Sequence, residues 1–405
     1  MRWQSVQLRR FISGWAFALL AGIPGCSGGD ASGPDSPEQP PADGGIQPSA
    51  GCSNGTLEHG ALFRVCFPSS WNGDLVLYAH GYVSPDQPLS LPDDQVGGQS
   101  VSGAATALGY AFATTSYRAN GLVAPDAVAD LVELKDTIEE RYRPDPAHTV
   151  IVGFSEGGLV AALAVERQPD RFDGALAGCG PIGDFRAQLD FIGDFRVVFD
   201  YFFPGIIPGS AVNVPTSVQT NWFTVYVPAI AAAMAAHPGA ASELIAVTGA
   251  SVAGPDIQSL TETTIGLLWY NVFGTADARA RLGGQPFDNA ARVYAGSSDD
   301  VALNSGVARY QADAAALQGL ASFETTGQLQ VPLVTLHTTG DPVIPFGQEA
   351  LYAEKVSQAG ASAELTQTSV SRPGHCAFQA SEVFGAFATL WQKIGAGSAA
   401  LASLR

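Results

Sequence analysis

The residues best suited to chemistry sit where a β-branched run meets a run of small residues. Thr149-Val150-Ile151-Val152-Gly153-Phe154-Ser155-Glu156-Gly157-Gly158 leads at once into Leu159-Val160-Ala161-Ala162-Leu163-Ala164. A strand, a sharp turn carrying serine and a helix would lift the Ser155 hydroxyl off the end of a sheet, with Gly153 and Gly157 keeping the turn free of side-chain collisions. The N–H of Glu156 would then open a helix, where partial positive charge suits an oxyanion. A serine hydroxyl needs a base to take its proton and a carboxylate to orient that base. Asp341 is the predicted acid, in the Gly/Pro-punctuated loop Thr338-Thr339-Gly340-Asp341-Pro342. His375 is the predicted base, in Ser371-Arg372-Pro373-Gly374-His375. Of the six histidines, at 59, 80, 148, 237, 337 and 375, only His375 follows a strand beyond such an aspartate, whereas His337 is read as support for the Asp341 loop.

The elements that must hold these groups alternate strand and helix. Asp74 to Ala79 reads as a strand leading into His80-Gly81-Tyr82, where Gly81 permits a tight turn and the Tyr82 N–H is the second predicted oxyanion donor. His80 is read as a buttress for that loop. An N-terminal hairpin spans Thr56 to Phe67, a helix about Ser100 to Leu108, a strand Ala111 to Ser116, and a helix Ala124 to Tyr142 with Val128, Leu131, Leu134 and Ile138 on one face. After the Ser155 helix come a strand at Gly174 to Gly178, a strand at Val331 to His337 before Asp341, and a strand at Glu364 to Val370 before His375. This alternation predicts an α/β fold, a mostly parallel sheet with helices on both faces.

At His80-Gly81, Gly153 to Gly158, Gly340-Asp341-Pro342 and Pro373-Gly374-His375-Cys376 the chain resembles the α/β-hydrolase superfamily, and within it secreted bacterial serine esterases and lipases. The resemblance covers roughly residues 60 to 395. It implies an eight-stranded-type sheet, a Ser155/Asp341/His375 triad and no cofactor, and it leaves the substrate open. No cluster of His, Asp and Glu shows metal-ligand spacing.

The chain has 405 residues, 46% of them hydrophobic, with 38 acidic and 20 basic residues for a net charge of −18. Such a balance excludes a nucleic-acid backbone as partner, because phosphates require a basic patch. Arg2, Arg9 and Arg10 precede the apolar stretch Phe11 to Ile23, which is too short to span a bilayer needing about 20 residues and reads as a signal peptide over 1–25. Gly22-Ile23-Pro24-Gly25-Cys26 resembles a bacterial lipobox, so Cys26 is the predicted lipidation site and the only membrane contact; Pro24 departs from the pattern and keeps an ordinary secretory signal as the alternative. Residues 26–50, rich in Gly, Ser, Pro and Asp, read as a disordered stalk. Lipidation of Cys26 leaves four of the five cysteines for disulfides in an oxidising compartment. The predicted pairs are Cys52 with Cys66, across an Asn54-Gly55 turn, and Cys179 with Cys376, at the edge of the sheet beside the base; two free thiols are the alternative.

The rhythm breaks after Gly180. A structureless loop from there to Val331 is implausible, so residues 183–325 are predicted to be a largely helical cap between the core segments 51–182 and 326–405. Phe185, Phe191, Phe195, Phe199, Tyr201, Phe202, Phe203, Trp222, Phe223, Tyr226, Trp269, Tyr270 and Phe273 crowd the cap, most forming its own core and some lining a pocket above Ser155. Tyr294 to Leu320 is read as a helix returning to the main domain. The favoured function is a serine hydrolase acting on small-molecule carboxylic esters with an apolar or aromatic part. A serine peptidase of the prolyl-oligopeptidase or proline-iminopeptidase type is the alternative. The oligopeptidase type carries a β-propeller for which this chain has no room, and the iminopeptidase type needs a cap carboxylate for the substrate amine, with Glu243 and Glu262 available. A non-catalytic surface lipoprotein is the third reading. Nothing in the sequence specifies an oligomeric state.

Overall fold

Continuous apolar runs form the centre of the molecule because a parallel strand flanked by helices is buried on both faces. The structure, a computed structural model, describes residues 48–96, 98–142 and 145–395. The signal segment, Cys26 and the stalk as far as Gln47 lie outside the described residues. Ten strands are described: β1 (Gly51–Thr56), β2 (Leu62–Phe67), β3 (Leu75–Ala79), β4 (Gln95–Val96), β5 (Gln99–Ser100), β6 (Ala111–Thr115), β7 (Thr149–Phe154), β8 (Gly174–Gly178), β9 (Leu333–Gly340) and β10 (Leu365–Pro373). Eight form one sheet in the order β1-β2-β6-β3-β7-β8-β9-β10, while β4 and β5 make a separate small hairpin that sequence patterning did not suggest. β1, β2 and β6 pair antiparallel, and every pairing from β6 through β10 is parallel. This is the predicted α/β architecture.

Alternation along β3 shows the two faces. Leu75, Leu77 and Ala79 pack with the Ala124–Arg141 and Glu156–Arg167 helices, whereas Val76 and Tyr78 pack with Phe387, Leu390 and Trp391 of the Ala380–Ile394 helix. β10 is the edge strand on the parallel side of the sheet. Its exposed Gln, Thr and Ser residues, ending in Arg372 and Pro373, suit an edge that must not recruit another strand.

Two local expectations are corrected. The hairpin turn lies at Leu57 to Ala61, not at Asn54-Gly55, which sit within β1. Gly55 faces Phe63 across the pair, and a Cβ there would come within 2.6 Å of the Phe63 ring, so this glycine makes room for a core aromatic and does not mark a turn. Tyr294 to Leu320 is not one helix but two short ones, Asp300–Gly306 and Ala314–Leu320. Asp299 caps the first by accepting from the Ala302 N–H, and beyond Gly306 the Tyr310 N–H is drawn off to the Asn289 side chain.

The chain between β8 and β9 is helical, dominated by Phe185–Phe202 and Ile257–Leu282. It encloses its own core, including Phe195, Phe199, Trp222, Leu267 and Met234. No single described helix is long and apolar enough to cross a membrane. Trp222–Ala236 and Pro238–Thr248 reach that composition only as a pair bent by 104°; Trp222, Ile230, Met234 and Leu244 are buried in the cap core, whereas Phe223 and Val225 are exposed.

Candidate active site

Ser155, Asp341 and His375 follow β7, β9 and β10, and His80 to Tyr82 follow β3. All therefore emerge at the C-terminal edge of the parallel strands, where open α/β sheets place ligands. The turn after β7 is strained. Ser155 has φ 60° and ψ −128°, a conformation rarely held by a residue with a side chain, and such backbone costs about 1–3 kcal/mol where it occurs. Glycine is obligatory around it. A Cβ on Gly153 would overlap the Gly157 carbonyl, and one on Gly157 would overlap the Ala79 carbonyl. The Ser155 N–H is held by the Gly178 carbonyl at 2.9 Å.

The structure brings the three predicted side chains into one line. The His375 Nδ1–H donates to Asp341 Oδ2 at 2.7 Å, and His375 Nε2 lies 2.9 Å from Ser155 Oγ. Since Asp341 only accepts, the proton sits on Nδ1 and Nε2 is left to accept from the serine hydroxyl. Asp341 Oδ1 accepts the N–H groups of Val343 and Ile344 at 2.8 and 3.0 Å. Burial opposes charge on Asp341, but His375 and His337 outweigh it and hold the carboxyl below the usual range. The loops of acid and base are tied together: Thr338 Oγ1 donates to the Gly374 carbonyl at 2.6 Å, and the Gly374 N–H to the Gly340 carbonyl at 3.0 Å. Arg372 spans to Glu382 with two contacts at 2.8 and 2.9 Å and anchors the base loop to the last helix.

Of the predicted oxyanion donors, the N–H of Glu156 opens the elbow helix and the N–H of Tyr82 follows Gly81; neither has a partner among the described residues. The Tyr82 ring lies against Trp269 and Tyr270 of the Ile257–Leu282 helix. His80 is buried beneath the same loop, stacked on Tyr117 at 4.0 Å, with Nδ1 2.7 Å from the Gly81 carbonyl. Burial lowers its pKa, so it supports the loop as a neutral ring.

Cys52 pairs with Cys66 directly across β1 and β2, and Cys179 pairs with Cys376, with Cα atoms 5.5 Å apart. Cys179 and Cys376 both have positive φ, 44° and 48°. Their sulfurs and His375 form the one close group of metal-ligand types among the described residues. Sulfur in a disulfide is no thiolate, so the pair offers no metal site in this state.

A cleft of about 870 Å³, including its open mouth, lies over Ser155. Tyr82, Phe185, Ile192, Tyr270, Phe287 and Ile344 supply much of its wall. Most other cap aromatics, such as Phe195, Phe199 and Trp222, are in the cap core. Two polar groups of the wall escaped the sequence reading. Gln188 donates from Nε2 to the Val343 carbonyl at 2.8 Å while its buried Oε1 has no partner. Glu156, whose backbone alone had been singled out, is 5% exposed; Oε1 accepts the Val123 N–H at 2.8 Å and Oε2 has no partner. Burial pushes its carboxyl up to about 8. No local pattern signals either feature, because the groups that bury them come from segments far away in the chain. Glu243 and Glu262 do not line the cleft. Glu243 holds Ser298, and Glu262 accepts from Gln258 on the surface.

Residues 104–191 match the model of the prolyl oligopeptidase family. No curated protein matches the sequence. Among solved structures, the chain is similar to an acylaminoacyl peptidase of Pyrococcus horikoshii at 10% identity and TM-score 0.43, covering 85% of this chain and 41% of that one. Feruloyl esterase B of Aspergillus oryzae is similar at 16% identity and TM-score 0.48, covering 80% and 74%. Brefeldin A esterase, a bacterial homologue of human hormone sensitive lipase, is similar at 14% identity and TM-score 0.42, covering 87% and 77%. The chain thus spans less than half the length of the acylaminoacyl peptidases it matches.

Proposed function

We propose that this serine hydrolase of the α/β-hydrolase superfamily cleaves carboxylic esters whose acyl or alcohol part is apolar or aromatic. In this reading Ser155 attacks the carbonyl as His375 takes its proton, and the N–H groups of Tyr82 and Glu156 hold the oxyanion. His375 then protonates the leaving alcohol. Water, activated by the same ring, releases the acid from the acyl-enzyme. Asp341 keeps the ring in the required tautomer.

The observation that carries the choice of ester is the charge of the cleft. A substrate with a free amino terminus needs an ionised carboxylate to receive it. The carboxyl in the wall is Glu156, which burial keeps protonated at neutral pH. The prolyl oligopeptidase family match favours a second reading, a peptidase for N-blocked peptides, which place no ammonium in the cleft. Initial rates on nitrophenyl esters of graded acyl length, aromatic methyl esters, and free and N-blocked aminoacyl anilides separate the two. Ester turnover with negligible anilide cleavage is expected, and efficient cleavage of blocked anilides would overturn the ester assignment. Ser155→Ala and His375→Ala are each expected to cost on the order of 10⁶ in turnover and Asp341→Asn about 10⁴. We further place the protein outside the cytoplasm, exported and tethered through Cys26; two disulfides suit an oxidising compartment.

A further inference from the structure

Asp341 serves two histidines. His337, in β9, is fully buried. Its Nε2 lies 3.1 Å from the Ile344 carbonyl and 3.5 Å from Asp341 Oδ2, the same oxygen that accepts from His375. On the other side, Nδ1 lies 3.2 Å from Glu349 Oε1, on the Gly347–Gln358 helix. Carbonyl and ionised carboxylate oxygens accept and do not donate, so a hydrogen on each ring nitrogen satisfies both contacts. The partners are themselves fixed. Glu349 is 5% exposed, and its Oε2 accepts from Thr335 Oγ1 and Gln367 Nε2, each at 2.6 Å. The remaining neighbours bring no charge: Phe346 sets its ring edge-on at 5.7 Å, and Ser369 lies opposite in β10. Burial works against a charge on the ring, yet Asp341 and Glu349, the charged groups that act on it, raise its pKa to about 9.

Glu349, His337, Asp341 and His375 therefore form a row in which carboxyl and imidazole groups alternate and which ends at Ser155. We propose that His337 is held as an imidazolium at neutral pH and is a positioning residue that sets how strongly Asp341 supports charge on His375. The proposal rests on the triad reading for its catalytic consequence. His337 draws on the carboxylate oxygen that His375 uses. It thereby tempers the attraction that would otherwise keep a proton on His375 and leaves the base free to act at lower pH.

Two measurements test it. The first does not depend on activity: ¹⁵N NMR of the imidazole nitrogens in the full-length Ser155→Ala protein. Two protonated ring nitrogens on His337 at pH 7.5 are expected, and a neutral ring at that pH would overturn the proposal even if the triad reading stands. The second is the pH profile of kcat/KM. In His337→Gln the acid limb is expected to move to higher pH by about one unit, the scale of one charge acting across a carboxylate in a partly screened interior. This variant leaves Glu349 buried without its cation, so the double variant His337→Gln/Glu349→Gln, which removes both charges, is measured beside it. Its limb is expected between wild type and the single variant. A purely structural role would lower kcat or stability in both without moving the limb, and that result would overturn the proposal.

Discussion

Glu156 makes the fold of this protein sensitive to alkali. Its carboxyl is buried, with one oxygen on the Val123 N–H and the other without a partner, and burial raises its pKa from an ordinary 4.5 to about 8; Asp277 adds to the shift and Arg281 opposes it. Below about pH 4.5 the group is protonated whether the chain is folded or not, and it contributes no pH dependence. As pH rises through that value the unfolded chain releases the proton while the folded chain keeps it. The folded state then binds more protons than the unfolded one, so stability falls with pH, and the fall ends only above about 8. At about 1.4 kcal/mol per pH unit, the loss over the whole window is on the order of 5 kcal/mol, with about 2 kcal/mol of it between pH 6 and pH 8. Glu156→Gln has the same shape and no proton to lose. An orphaned amide costs much the same at every pH, so any constant offset cancels in the comparison. Urea unfolding of wild type and Glu156→Gln at pH 5.5, 6.5, 7.5 and 8.5 measures the effect. The variant is expected to gain on wild type steadily up to pH 8 and to level off above it. Two curves that stay parallel across this range would refute the argument, because they would mean that Glu156 ionises alike in both states.

The elbow glycines are expected to tolerate no side chain: Gly153→Ala and Gly157→Ala drive a Cβ into backbone and should cost more than about 3 kcal/mol, read as loss of soluble protein. The Cys179–Cys376 bridge closes 197 residues, which sets an upper limit of about 5 kcal/mol on its stabilisation in a chain-entropy account, whereas Cys52–Cys66, closing 14, is limited to about 3. Cys179→Ala and Cys376→Ala are expected to lower thermal stability and turnover together, with the double variant no worse than either. A Cys376 peptide that alkylates freely in the oxidised native protein removes this expectation. Cys26→Ser is expected to release the protein from membranes at unchanged specific activity; wild-type protein that is wholly soluble and carries no lipid mass contradicts the anchor.

What was legible in the sequence was whatever a short window determines. Gly153 and Gly157 betray the elbow because the turn excludes a Cβ at both positions, and β7 betrays itself because a strand buried on both faces has no polar alternation. Asp341 and His375 were found by their place after strands, since in a parallel sheet the C-terminal ends converge whatever lies between them. The helical insertion announced itself through the distance between β8 and β9. The misreadings follow from the same rule. Asn54-Gly55 has the composition of a turn, but Gly55 is required by Phe63 on the partner strand, and a one-dimensional pattern does not show which neighbour a glycine serves.

The charge states were the least legible, for a related reason. Glu156 sits beside the serine in every sense the sequence can express, yet what governs its side chain is first its burial, and after that the Val123 N–H and the charges of Asp277 and Arg281 on the cap helix. Asp277 in turn accepts the Leu122 N–H at 2.7 Å, and Arg281 donates to the Asn120 carbonyl. The segment Asn120 to Val123 thus joins the cap to the residue after Ser155. Gly121 permits that approach, for it has φ 96° and a Cβ there would overlap the Asp277 carboxylate. A neutral Glu156 leaves the wall of the cleft without a negative charge, and under the proposed function this disfavours substrates with a free amino terminus.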